Sequence, residues 1–272
     1  MDLKNKVVVV TGGGSGIGKA IAERFSKAGA KLIVADVSEE NSTSVAETVG
    51  GMGIQCDVTS EAQIQRLVAE VEKTFGQIDV FCSNAGVAFG EGAHAASASN
   101  EVWQTCWDLH VMSHVYAARA VLPGMIERGE GYLLNMASAA GLLSQIGDAA
   151  YSASKHAAVA FSESLSITHA DDGVKVSVIC PQYVATPLLG YEDGEAGNAA
   201  SGTISAADVA ETVYQGVLEE RFLILPHPEV HTYMQHKAAD TERWLAGMRR
   251  LRNDIIEKVG GTDLHAMHRL FR

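Results

Sequence analysis

Short runs of Val, Ile and Leu alternate with longer amphipathic segments along most of this chain, and that rhythm limits the fold more than any other feature. Val7-Val8-Val9-Val10 has no polar face, so it suits a strand covered on both sides, the setting of a parallel sheet. A glycine-rich turn follows, after which Ile17, Ile21, Phe25 and Ala28 recur at helical spacing until Gly29 stops them. The step repeats with a strand at Lys31–Asp36, a polar helix over about 39–50 and a short strand ending near Cys56-Asp57. Ser60 caps the next helix, whose apolar stripe is Ile64, Leu67, Val68, Val71 and Phe75. Asp79–Ser83 predicts a fourth strand, about 99–128 a long helix broken near Pro123-Gly124, and Leu133-Leu134 the centre of a fifth strand. A helix over about 150–170, a strand at Val174–Cys180, a helix over about 205–220 and a strand at Phe222–Leu225 complete the series. Right-handed crossovers close such a series into one doubly wound parallel α/β sheet. Residues 1–225 are expected to form the core of a single domain, and 226–272 a C-terminal helical extension ended by Gly260-Gly261.

Composition narrows the function. The chain has 272 residues, 47% of them apolar and 20% charged, as in an ordinary soluble globular protein. Its formal net charge of −12 repels phosphate backbones and anionic lipid, so neither nucleic acid nor a membrane surface is an expected partner. The uncharged run from Gly131 to Gly147 carries Asn135, Gln145, serines and glycines and is no membrane span. Met1-Asp2-Leu3-Lys4 lacks the apolar centre of a signal peptide. Cys56, Cys82, Cys106 and Cys180 show neither CxxC pairing nor metal spacing, which predicts reduced thiols, no metal and a cytoplasmic protein.

Thr11-Gly12-Gly13-Gly14-Ser15-Gly16-Ile17-Gly18 joins the first strand to the first helix. Glycines there let backbone N–H groups approach an anion, and a helix N-terminus favours a diphosphate. Gly13 to Lys19 nearly matches a nucleotide-hydrolysing loop, but Ala20 stands where a hydroxyl must hold magnesium. A tight turn without a ligand remains the alternative for the glycines alone. Asp36 weighs against it. It ends the second strand 18 residues beyond Gly18, where a carboxylate accepts both ribose hydroxyls of NAD and repels the 2′-phosphate of NADP.

With these residues in place, the chain resembles the short-chain dehydrogenase/reductase family over roughly residues 5 to 225. Gly12, Ser15, Gly16, Ile17 and Gly18 fall in that family's T-G-x-x-x-G-x-G turn. Asp57-Val58 looks like its adenine-bordering pair, and Asn84-Ala85-Gly86 like its N-A-G turn, with Ser83 where a first Asn is commoner. Tyr151-Ser152-Ala153-Ser154-Lys155 is similar to its Y-x-x-x-K signature, preceded by Ser138 at the family's spacing, and Pro181 to Thr186 resembles its P-G-x-x-x-T segment. The resemblance implies a Rossmann-type sheet and hydride transfer between NAD and a secondary alcohol or ketone. It further implies that Lys155 grips the nicotinamide ribose and that Thr186, with the backbone near Val184, meets the carboxamide.

Elementary chemistry supports those assignments. Tyr151 and Lys155 share one helical face a turn apart. An ammonium about 4 Å from a phenol at an effective dielectric of about 20 is worth roughly 4 kcal/mol, or about three pKa units. Such a shift brings the phenol near neutrality, where it exchanges protons most effectively; Ser138 can hold the substrate oxygen beside it. Two positions depart from the family. His110 stands where an asparagine usually bends the long helix, and either joins a proton relay or simply packs. Gln182 replaces a glycine after Pro181, and either enters the pocket or points outward.

Two loops rich in small residues, Val87–Ser99 and Gly190–Gly202, follow strands on the carboxyl side. The segment 187–202, with Glu192, Asp193 and Glu195, is expected to be a mobile lid whose acidity mildly disfavours anionic substrates. Trp244, Leu245, Met248, Leu251 and Ile255 make an amphipathic helix interspersed with Arg249, Arg250 and Arg252, suited to core or subunit packing rather than a membrane. The family's usual dimerisation helices correspond to about 99–128 and 150–170, implying a homotetramer, or a dimer. Two other functions remain open: an NADPH-dependent carbonyl reductase, and a non-catalytic NAD-sensing or scaffold protein on the same fold.

Overall fold

The computed structural model describes residues 1–192 and 202–270. Seven parallel strands form the sheet: β1 (Val7–Thr11), β2 (Lys31–Asp36), β3 (Met52–Gln55), β4 (Val80–Ser83), β5 (Gly131–Met136), β6 (Val174–Ile179) and β9 (Leu223–Ile224). Their order is β3-β2-β1-β4-β5-β6-β9, so the connections run one way from β1 to β3 and the other way from β4 onward. The carboxyl ends of β1 and β4 therefore flank the crevice where a doubly wound sheet binds ligands. Alternation within β1 supplies both cores: Val8 and Val10 pack toward α1 (Gly16–Lys27) and α7 (Ala206–Leu218), Val7 and Val9 toward α3 (Glu61–Phe75). The polar helix α2 (Glu39–Val49) lies between β2 and β3 in the chain. Of the described residues, no helix is long and apolar enough to cross a membrane. All four cysteines are buried and free.

Two expectations are corrected. The long helix is not broken at Pro123-Gly124. It is divided instead by a wide π-type turn at Asp108–Met112, between α4 (Asn100–Trp107) and α5 (Ser113–Arg128), and α5 continues past Pro123. Pro123 is exposed, so water can reach the carbonyl its missing N–H frees, while Val121 and Met125 anchor the helix to the core. Nor does the extension end at Gly260-Gly261. Gly260, in the left-handed conformation, stops α9 (Thr241–Val259) only, and the chain returns through α10 (Leu264–Met267) with Met267 and His268 fully buried. Between β9 and α9 lies α8 (Glu229–Ala239), whose Lys237 donates to the carbonyls of Leu142 and Leu143 at 2.7 and 3.0 Å. A small ribbon, β7 (Val184–Ala185) against β8 (Ile204–Ser205), frames the segment after β6.

Candidate active site

A cavity of about 580 Å³ runs along the carboxyl edge of the sheet. Its first end is built from backbone. Gly12 and Gly16 hold φ of +60° and +53°, which side chains resist, and a methyl group on Gly18 would lie 2.2 Å from the Gly12 carbonyl oxygen. Asn84 ties this turn to β4 by donating to the carbonyls of Thr11 and Gly12 at 3.0 and 3.2 Å. The first turn of α1 carries no acidic residue, and Ser15 makes no side-chain cap there, which suits it to an anion. Asp36 lines the same end; its Oδ2 accepts the Gly14 N–H at 2.9 Å and its Oδ1 that of Ser38 at 3.0 Å. Val37, Asp57 and Val58 continue the wall, with Asp57 Oδ1 accepting from the Thr59 hydroxyl at 2.7 Å.

The other end gathers Ser138, Tyr151 and Lys155, with Ala85, Gly86, Pro181, Val184 and Thr186 around them. Ser138 follows β5, and its Oγ lies 3.4 Å from the Pro181 carbonyl. Tyr151 and Lys155 project from α6 (Ala149–His169), which Asp148 caps by accepting the Tyr151 N–H at 3.1 Å. Lys155 is buried, and its Nζ donates to the Met136 carbonyl at 3.0 Å and sits 5.6 Å from the Tyr151 ring centre. Burial lowers the lysine to about 8 and pushes the Tyr151 phenol up to about 12, the hydrogen bond with Ser138 pulling it partly back. With the ammonium turned to Met136, burial holds the phenol above its ordinary value rather than near neutrality.

His110 sits fully buried in the π-type turn. Its Nε2 accepts the Val87 N–H at 3.2 Å, so its Nδ1 carries the proton and donates to Ser154 Oγ at 2.9 Å, which in turn donates to the Tyr151 carbonyl. Burial and the nearby Lys155 hold its pKa well below the ordinary imidazole value. One ring nitrogen therefore holds Val87 of the cleft wall, and the other reaches the Tyr151 backbone through Ser154. Gln182 lines the cavity, and its N–H is held at 3.0 Å by Nδ1 of buried His227, the second residue of the extension.

A family model described as short chain dehydrogenase matches residues 6–195. The chain belongs to the short-chain dehydrogenase family. Like its family, it is an oxidoreductase with the cleft of a nicotinamide cofactor. Among curated relatives, 1-deoxy-11-beta-hydroxypentalenate dehydrogenase of Streptomyces exfoliatus is 33% identical over 249 residues, covering 89% of this chain and 90% of the relative. The 3beta-hydroxysteroid dehydrogenase 2 of Eggerthella lenta is 34% identical over 192 residues, covering 68% of this chain and 74% of its own length. A short-chain dehydrogenase/reductase from Burkholderia phymatum, solved in complex with NAD, superposes with a TM-score of 0.80 at 30% identity, covering 89% of this chain and 96% of that one.

Several residues of this family member escaped prediction. Asp148 caps α6 and also accepts the N–H groups of Phe89 and Gly90 at 3.3 and 2.9 Å, fixing the loop after β4 against the helix that carries Tyr151. An aspartate just after Gly147 and before a helix is a capping signal, so it was available in the sequence. Gln145 and Tyr183 line the cleft, and Leu264 enters it from the far end of the chain. Nothing in local spacing announces those three. The expected lid, 187–202, falls largely outside the described residues; its described part includes Tyr191, whose hydroxyl donates to His268 Nε2 at 2.9 Å.

Proposed function

We propose that the chain transfers a hydride between a secondary alcohol, or the matching ketone, and NAD. The observation that carries this reading is the single cleft joining the Ser138–Tyr151–Lys155 cluster to the glycine turn and Asp36. The residues fit the cofactor: the turn has glycine where a side chain would collide, and Lys155 spends one of three N–H donors on Met136, leaving two for ribose hydroxyls. Asp36, Asp57 and Val58 would hold the adenosine part, Gly12, Ser15, Gly16, Ile17 and Gly18 the diphosphate, and Asn84, Ala85, Gly86, Pro181, Val184 and Thr186 the nicotinamide side. NAD rather than NADP is favoured because Asp36 lines the cleft while its one Lys or Arg among the described lining residues, Lys155, stands beside Tyr151. Held by these residues, an oxidised nicotinamide would supply the acceptor for the carbinol hydride and a positive charge in the cleft. Tyr151 takes the alcohol proton, Ser138 donates to the substrate oxygen, and Lys155 stabilises the phenolate. His110 is a positioning residue on this reading, since its nitrogens hold Val87 and, through Ser154, Tyr151.

Trp103 and Trp107 on α4 and Ile167 on α6 are exposed apolar side chains on the helices expected to pair subunits, which supports a homotetramer or dimer. Reduced, buried thiols suit the cytoplasm. The test is absorbance at 340 nm with a panel of secondary alcohols and each cofactor. Turnover with NAD well above NADP is the expected result; NAD binding with no turnover of any alcohol or ketone would favour a sensor instead.

A further inference from the structure

A second cavity, of about 600 Å³, adjoins the cleft on the side of the C-terminal extension. The two share Ala139, Ala140, Gln145, Gln182 and Tyr183, so a molecule seated beside Ser138 and Tyr151 can extend past Gln182 into this chamber. One part of the lining is apolar and aromatic: Leu143, Tyr233, Trp244, Met248, Leu251 and Ile255. Another is cationic. Arg243, Gly247 and Arg250 recur at i, i+4 and i+7 along α9 and so share a face beside that apolar stripe. Neither arginine side chain has an ion-pair or hydrogen-bond partner among the described residues. The carboxylate that also lines the chamber, Asp240, is engaged as the cap of α9, accepting the Arg243 N–H at 2.9 Å.

The basic character is local. In a chain of net charge −12, α9 sets Arg243, Arg249, Arg250, Arg252 and Lys258 against Glu242, Asp254 and Glu257. Gly247 adds a separate indication. It is a weak helix former in the middle of a helix, and the nearest atom to where its side chain would begin is Arg250 Nη2 at 3.9 Å. Its lack of a side chain leaves space against α9 between the two arginines. We infer that this chamber binds the distal end of an amphipathic substrate, an apolar body ending in a carboxylate that Arg243 and Arg250 grip by their planar forks. This rests on the proposed dehydrogenase reading for the reacting end alone.

The test separates the two. Calorimetric titration of the protein loaded with NADH compares 4-(4-hydroxycyclohexyl)butanoate with its methyl ester, which differ only in the distal charge. The acid should bind about tenfold or more tightly than the ester. The double variant Arg243→Gln/Arg250→Gln should erase that preference and leave ester affinity unchanged, which also reports that the variant is folded. Gly247→Leu should weaken both ligands while leaving NAD affinity as it was. Equal affinity for acid and ester, a preference that survives loss of both arginines, or no binding of either compound overturns the chamber's assignment. Binding as expected with no change at 340 nm on adding NAD overturns the dehydrogenase reading and leaves the chamber standing.

Discussion

The two ends of the cleft are made differently. The glycine end is built by backbone from consecutive stretches of chain: β1, its turn, α1 and β2 lie within residues 7–36. The reacting end is assembled from side chains and loops far apart in sequence, Val87, His110, Ser138, Tyr151, Gln182, His227 and Leu264 among them. The contrast extends to titration. No histidine is among the described residues that line the glycine end. A cradle of backbone depends on the absence of side chains. A wall pinned by buried imidazoles depends on their staying neutral.

The largest expected effect strikes the first end. Gly18→Ala puts a methyl group 2.2 Å from the Gly12 oxygen and 2.5 Å from Asn84 Nδ2, where backbone must move. It should abolish NAD binding and cost about 3 kcal/mol, read by NAD titration and chemical denaturation. Retained NAD affinity would dissolve the distinction between the two ends.

Acid should act on the other end. Burial lowers His110 and His227, which hold that wall, and brings His114, buried on α5 with no hydrogen-bond partner for its ring nitrogens among the described residues, to about 3. Because the folded state binds fewer protons than the unfolded one, this stability is present above the ordinary imidazole pKa of about 6.5 and is lost as pH falls toward the folded values. At pH 5 His114 alone accounts for about 2 kcal/mol. Thermal unfolding between pH 7 and pH 5 measures the loss. Hydrogen exchange localises it: the amides of Val87 and Gln182, which donate to His110 and His227, should lose protection before those of β1.

Asp36→Ala should reduce the preference for NAD over NADP about tenfold, measured as the ratio of kcat/KM values. An effect of similar size concerns His110. Its replacement by Leu strands the Val87 N–H and should lower kcat/KM about tenfold, whereas Asn, which can still accept that hydrogen bond, should restore most of it without changing NAD affinity.

How far the molecule could be read in advance follows the same division. The βα rhythm, the turn at Gly12–Gly18 and the position of Asp36 are local patterns, and the sheet order and cleft bear out the fold they imply. Pro123 misled because its consequence depends on which way the helix faces: exposed, it is tolerated, and the irregularity falls at Asp108–Met112 instead. The return of the chain past Gly260 to bury His268 is a tertiary choice that no spacing records. Burial of Tyr151, which raises its phenol, is likewise a tertiary property that the four-residue spacing to Lys155 does not record.

The central claim is that Tyr151 exchanges the proton. Replacing it with Phe removes the hydroxyl and keeps the ring that packs edge-on against His110 at 5.3 Å. The variant should lose about 10³-fold or more in kcat for the best alcohol, with NAD affinity within about threefold of the parent. Substantial turnover in Tyr151→Phe, with its fold and NAD binding intact, would contradict the mechanism.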